Sequence, residues 1–358
     1  MTSPALALVL PGDPLTPTGG YEYDRRIVAG LRALGWEITV HVLDASFPAP
    51  TPAARTAARA TFARIPDGAT VLVDGLALGV LPEVAAAESR RLRLVALVHH
   101  PLAEETGLEP ARAEALRRSE TEALAAVRWV VTTSGTTARG LTRYGVPSKR
   151  IAVIEPGTHP APLARGSSGP GVALLCVAAV VPRKGHAVLV EALSGLADRD
   201  WHLTCVGSLG RSPQTVAALQ LRIAVLGLAH RVTIRDAVDR AALDACYAGA
   251  DVFVLPTFHE GYGMALAEAL ARGLPIVSTR AGAVPETVPS DAGLLVPPGD
   301  AAALRDALAR VLDDAALRAR LAKGARRARA RLPDWDATCA RLAAVLTNES
   351  ANLERLHG

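Results

Sequence analysis

Long hydrophobic runs are missing from this 358-residue chain, although half of its residues are apolar. No segment approaches the ~18 uninterrupted apolar residues of a membrane-spanning helix, so none is expected. An excess of one charge is missing too: 39 Lys and Arg stand against 35 Asp and Glu, a formal net charge of +4. Nucleic-acid binding asks for a concentrated basic stripe, and only RARLAKGARRARARL at 318–332 comes near one. Leu317 and Leu321 share one side of that run, so it reads as a solvated helix face, with weak peripheral membrane contact as its other use. Cysteine is scarce. Cys176, Cys205, Cys246 and Cys339 lie far apart with no Cys-x-x-Cys, which excludes a disulfide framework; they read as buried free thiols in a reducing compartment. A charged stretch ahead of the first apolar run is also lacking. MTSPALALVLPGD breaks at Pro11 and reads as a buried first strand, not a signal peptide, so a cytoplasmic protein is expected.

What the chain does contain is alternation. LALVLP, EITVHVL, TVLVDG, LRLVALVHH, RWVVTTS and IAVIEPG are separated mostly by helix-length stretches, such as Tyr23 to Leu34 and Ala111 to Ala126. VALLCVAAV, HLTCVGS, RVTIRDA, DVFVLPT, LPIVSTR and GLLVPPG repeat the scheme. Near-continuous Val, Leu and Ile are what parallel strands buried on both faces require. The expected fold class is α/β, with two Rossmann-like doubly wound domains facing each other across a cleft. EPGTHPAPLARGSSGPG at 155–171 is rich in Pro, Gly and Ser and reads as the linker. The expected domains are 1–165, 166–333 and a C-terminal helix at 334–358 that crosses back to the first domain. Ala301 to about Arg331 reads as helical, Pro333 stops it, and Asp334 or Asp336 caps the next helix.

Ligands of open α/β sheets bind outside the carboxyl ends of the strands, so the loops there matter most. A Gly-x-Gly-x-x-Gly after the first strand is absent; the pair Gly19-Gly20 comes later, at a helix start, where backbone N–H groups could approach an anionic oxygen. His99 and His100 end the fourth strand, suited to a sugar hydroxyl or a carbonyl. No further ligand at metal spacing accompanies them, so no metal is expected there. Arg183 and Lys184 in VVPRKGH pair a guanidinium fork with a point charge, a combination that suits a diphosphate. Glu260 sits in FHEGYG, the loop after DVFVLPT, as a strand-end carboxylate with little packing role. Gly261 and Gly263 free the N–H groups of the following helix for phosphate, and Glu268, in its second turn, could accept hydrogen bonds from a ribose diol.

These stretches carry a resemblance. LPTFHEGYGMALAEALARGLPIVSTRAGAVPE, together with VPRKG, VGS, TTSGTTARGLTRYGVPSKRIAVIEPG and AGLLVPPGD, resembles the retaining glycosyltransferases of family 4, which have the glycosyltransferase-B fold. The resemblance covers most of 130–335 and, more loosely, the N-terminal part. It implies that Arg183 and Lys184 hold the donor diphosphate and that Glu260 binds hydroxyls of the donor sugar. It also implies that Gly207, Gly261, Tyr262, Gly263, Met264 and Ala265 present donor-binding backbone and that Glu268 holds the ribose. His99 or His100 would touch the transferred sugar, and the sequence does not choose between them. The chain departs from the family at Ala179, where an arginine is usual, and at EPGTH, where the family has a different phrase.

The activity so implied is retaining, metal-independent transfer of a hexose from a nucleotide-diphosphate sugar to a hydroxyl acceptor, with no cofactor. Neither of two Asp-x-Asp triplets is placed for a metal: Asp198-Arg199-Asp200 precedes a strand and Asp334-Trp335-Asp336 opens a helix. A nucleotide-sugar epimerase of the same fold and a non-catalytic two-domain sugar-binding protein are the alternatives. The expected partners are a nucleotide sugar and a hydroxyl-bearing acceptor, without nucleic acid. Acceptor, donor base and oligomeric state are not written in any motif.

Overall fold

The computed structural model describes residues 3–347; the expected helical tail at 348–358 lies outside them. The chain divides into two compact units, one running to Gly157 and resumed from Pro333, the other Thr158–Leu332. Residues 158–165, assigned to the first domain on composition, group with the second unit, where Ala164 N–H donates to Arg272 O (2.9 Å) and Arg165 N–H to Ala248 O (2.9 Å).

Every apolar run forms a strand. The first unit holds β1 (Ala5–Pro11), β2 (Glu37–Leu43), β3 (Thr70–Asp74), β4 (Arg93–Val98), β5 (Trp129–Thr132) and β6 (Ile151–Val153), in the order β2-β1-β3-β4-β5-β6. The second holds β7 (Val172–Val177), β8 (Trp201–Val206), β9 (Val232–Arg235), β10 (Val252–Leu255), β11 (Ile276–Thr279) and β12 (Gly293–Val296), in the order β12-β11-β10-β7-β8-β9. All pairs are parallel. Period-two alternation explains why β1 is apolar along its length: Leu6, Leu8 and Leu10 join one cluster, with Tyr23 and Ile27, while Ala7 and Val9 join another, with Val71 and Val73. Each unit is therefore a doubly wound α/β layer structure. Its order reverses between β1 and β3 in the first sheet and between β7 and β10 in the second. At such a switch point the flanking connections leave in opposite directions and open a crevice beyond the strand ends.

Three local outcomes refine the sequence reading. The helical stretch from Ala301 is two helices, Ala301–Asp313 and Ala315–Arg329, because Asp314 is extended (φ −114°, ψ 95°) and its carboxylate accepts Leu317 N–H at 2.8 Å, capping the second. The basic run belongs to that second helix and buries Leu317, Leu321, Ala325 and Ala328, so its arginines lie on the polar side. The helix Trp335–Thr347 belongs to the first unit. Asp334 accepts Ala337 N–H (2.7 Å), the Thr338 hydroxyl donates to Glu155 O (2.9 Å), and Cys339, Leu342 and Val345 join the cluster of Tyr23, Ile27 and Leu31. The EPGTH phrase takes part in this seating: a side chain at Gly157 would come within 2.5 Å of the Trp335 backbone. No helix among the described residues is long and apolar enough to cross a membrane.

Candidate active site

At the switch point of the second sheet, two loops interlock. The loop after β7 makes a single 3-10 turn, Pro182–Lys184, closed by Gly185 at φ +71°. A Cβ on Gly185 would lie 2.0 Å from Pro256 O, so glycine is needed both for the left-handed backbone and for the close approach to the loop after β10. Arg183 O accepts Phe258 N–H (2.8 Å) and the Thr257 hydroxyl (3.0 Å). The Arg183 guanidinium returns a bond to His259 O (2.6 Å), and Lys184 Nζ meets Glu260 Oε1 at 2.6 Å. Arg183 and Lys184 thus share one place with Glu260, which lies 76 positions beyond Lys184.

Glu260 is not a loosely held loop carboxylate, which corrects the expectation of little packing role. It is 6% exposed, its carbonyl accepts Ala283 N–H at 2.9 Å, and Gly282 (φ +55°) crosses so near that a Cβ there would sit 2.3 Å from Glu260 O. Burial pushes the carboxyl pKa up, but Lys184 and Arg183 more than offset it, so the net shift is downward and Glu260 is ionised. The loop continues through half-buried Gly261 and buried Tyr262, whose carbonyl accepts the Thr287 hydroxyl at 2.6 Å. Helix Met264–Ala271 then starts at Gly263, which has no side chain to cap it, and Met264 and Ala265 form its half-buried first turn. Its leading N–H groups need an acceptor from elsewhere, which suits an anion. Gly207, just past β8, lies against the first loop, and a Cβ there would come within 2.1 Å of Ala178 O.

Glu268 has protein partners that periodicity does not reveal. The hydroxyl of fully buried Tyr247 donates to its Oε2 (3.1 Å), and Arg240 Nη1 lies 3.5 Å from Oε1. Of the triplets, Asp198 pairs with Arg199, which also holds Asp313 (2.8 Å), at the amino end of β8; Asp334 is a helix cap.

The first unit assembles a second cluster at its own switch point. His99 follows β4 and places Nε2 3.3 Å from Asp24 Oδ1, on helix Gly19–Ala33, and 4.0 Å from Asp74 Oδ2, at the end of β3. Its ring stands edge-on to Tyr23 (5.2 Å, 81°). Gly19 and Gly20 open that helix behind the cap Thr18, and a Cβ on Gly20 would meet His99 Cδ2 at 3.4 Å. Burial opposes the charged imidazole, but Asp24 and Asp74 more than offset it, so the His99 pKa lies above its ordinary value. Burial, helped by Asp24, pushes Asp74 up to about 7. His100, the next residue, is half-buried. Sequence reading missed both aspartates. Asp74 closes an apolar strand and was visible as such; Asp24 lies one turn past the glycine pair and carried no signal of its own.

The loop bearing these histidines is held by another missed residue. Glu120, on helix Pro110–Ala125, accepts Leu102 N–H (2.6 Å) and Ala103 N–H (3.0 Å). It is 5% exposed and shares a helix face with Leu116, Ala123 and Leu124. Burial raises its pKa from 4.5 to about 7, against the two N–H bonds. The folded value exceeds the unfolded one, so its contribution to stability is fully present below about pH 4.5 and is lost as the pH rises through about 7. Between pH 5 and 8 the wild type is therefore expected to lose on the order of 3 kcal/mol relative to Glu120→Gln. Denaturant unfolding at both pH values measures this, and parallel pH profiles would refute it.

Comparison with known proteins fits both units. Residues 19–161 match the profile described as Glycosyltransferase Family 4, and residues 171–314 match Glycosyl transferases group 1. The chain belongs to the group 1 glycosyltransferases. Among relatives of this glycosyltransferase family, a D-inositol 3-phosphate glycosyltransferase of Corynebacterium glutamicum is 34% identical over 189 residues, 49% of this chain and 44% of that protein. The matched part of the chain spans about half the length of such curated relatives, 44% and 57% for two of them. Sucrose-phosphate synthase from Thermosynechococcus elongatus superposes with a TM-score of 0.80 at 23% identity, covering 96% of this chain and 98% of its own. Anabaena HepE, solved with UDP-glucose, gives 0.75 at 18% identity, covering 96% and 99%. These likenesses establish the glycosyltransferase-B fold.

Proposed function

We propose that this chain transfers a hexose from a nucleotide-diphosphate sugar to a hydroxyl-bearing acceptor, with retention of anomeric configuration and without a divalent metal in the chemical step. The observation that supports this best is the Lys184–Glu260 pair, 2.6 Å, inside interlocked strand-end loops beside an uncapped helix start. Departure of a nucleoside diphosphate leaves negative charge on the phosphate oxygens. Arg183, Lys184 and the N–H groups after Gly263 are the cations and dipoles that stabilise it, in a preorganised setting where such groups act most strongly. Lys184 is already drawn in by Glu260, so the bound donor takes up a positioned cation. Glu260, ionised and buried, accepts from hydroxyls of the donor sugar as the ring gains oxocarbenium character. An acceptor hydroxyl attacking from the face the diphosphate leaves can pass its proton to a diphosphate oxygen, so no dedicated protein base is required. His99, whose charged form Asp24 and Asp74 favour, is the group we assign in the first unit to donate to a sugar hydroxyl.

The relatives suggest where to begin: HepE was solved with UDP-glucose, and the Corynebacterium protein is named for an inositol phosphate. Assays should pair UDP-, GDP- and ADP-hexoses with phosphorylated polyols. Transfer is expected to persist in excess EDTA and to give a product whose anomeric coupling matches the donor's. Activity lost in EDTA and restored by Mg²⁺, or an inverted anomer, overturns the proposal.

Glu268 is proposed to hold the ribose through the half-exposed side of its carboxylate. Glu268→Ala should weaken binding of the bare nucleotide by ~10-fold or more in calorimetry, the value of a charged hydrogen bond. Because Tyr247 also uses this carboxylate, the unfolding of the ligand-free variant is measured alongside; lower stability with unchanged affinity would make Glu268 structural.

A further inference from the structure

Behind the Arg183–Lys184 loop lies a group of side chains that sugar transfer does not use. Cys176 in β7 and Cys205 in β8 are in-register partners on adjacent parallel strands, so both side chains leave the sheet on the same face. His186, the first residue of helix His186–Ser194, places Nε2 3.7 Å from Cys176 Sγ. The three candidate ligand atoms lie within 4.8 Å of one another. All three residues are buried, at 0, 2 and 3% exposure, among Leu174, Leu189 and Leu203. His186 Nδ1 has no hydrogen-bond partner in the structure. An imidazole in such a core costs free energy unless something is gained from it, and packing alone would favour an aliphatic residue.

We propose that Cys176, Cys205 and His186 form a binding site for a thiophilic divalent cation, with zinc favoured by the ligand set. Two thiolates and an imidazole are a soft, three-ligand zinc set. Ordinary Zn–S and Zn–N bond lengths at a tetrahedral angle separate sulfur from nitrogen by about 3.6 Å, close to the 3.7 Å found between Cys176 and His186. Charge agrees as well. Two thiols release their protons to solvent on binding, and two thiolates with a dication sum to zero, the state a dry core tolerates best. The cation takes no part in transfer. It ties together the ends of β7 and β8 and the start of the following helix. Lys184 lies two residues before His186, and Gly207 lies two residues after Cys205, so the cation would fasten the loops that hold the diphosphate in our reading.

The test uses the full chain, expressed in zinc-supplemented medium and purified without chelator or thiol reagent. Elemental analysis is expected to find about one zinc per chain. Cobalt loading should give a thiolate-to-metal charge-transfer band. Cys205→Ser should bind zinc at least ~100-fold more weakly, since even losing an outer partner of a ligand costs ten- to a hundredfold. Wild-type zinc below about a tenth per chain without a cobalt band would overturn the proposal. So would equal zinc in Cys205→Ser, or a Cys176–Cys205 disulfide in the peptide map. If Cys205→Ser does not fold, the wild-type count and the cobalt spectrum decide. None of these readouts depends on transferase activity.

Discussion

Glu260→Gln is expected to give a folded protein whose transfer rate has dropped by at least ~10³-fold. Removing one preorganised group aimed at developing charge typically costs 10²–10³, and in the proposed reaction this carboxylate is tied both to the sugar and to the cation that would receive the phosphate. The substitution is nearly isosteric. The backbone bond from Ala283 and the fit against Gly282 are untouched, because both involve the Glu260 main chain. What disappears is the negative charge that draws Lys184 to 2.6 Å. Steady-state rates with the best donor, beside an unfolding curve, check the expectation. A variant within fewfold of the wild type would place Glu260 outside the chemistry, and an unfolded variant would make its role structural.

Lys184→Ala should lose both stability and transfer. The lysine and glutamate side chains are only 17% and 8% exposed, so removing the cation leaves a carboxylate buried without its partner. Breaking one side of a buried pair costs about 3 kcal/mol or more, and loss of the proposed phosphate contact should lower transfer by ~10²–10³-fold. The pH dependence identifies the cause. In the wild type Glu260 has a lowered pKa, so the stability it contributes is present above its ordinary 4.5 and is lost as the pH falls through the folded value. Without Lys184 that contribution is missing, and the deficit is expected to be largest near neutral pH and to shrink toward pH 4. A deficit independent of pH would mean that the lysine acts by packing its methylenes.

The switch-point loops were legible because strand, glycine and helix follow one another within about a dozen residues. Arg183, Lys184 and Glu260 could each be assigned to a strand end, but their mutual contact could not, since it depends on β7 and β10 being sheet neighbours despite lying far apart in sequence. Buried acids were the systematic gap. Glu120 and Asp24 sit in helices that carry many charges, and periodicity ranks such residues as solvent-facing; only backbone N–H groups or an imidazole brought in from another element make them interior. Glu268 shows the converse. Its place in the helix was read correctly, while its bond to Tyr247 depends on a tyrosine from a different helix. The break at Asp314 escaped because aspartate serves equally as a tolerated helix residue and as a cap, and one extended ψ decides between them.

The path of the chain also sets an order of manufacture. The second unit is one uninterrupted piece, 158–332, whereas the first needs Cys339, Leu342 and Val345 to cover Tyr23, Ile27 and Leu31. On the ribosome the domain that emerges first is therefore completed last. Until Trp335–Thr347 arrives, an apolar strip on helix Gly19–Ala33 stays uncovered in the nascent chain, through the whole synthesis of its neighbour.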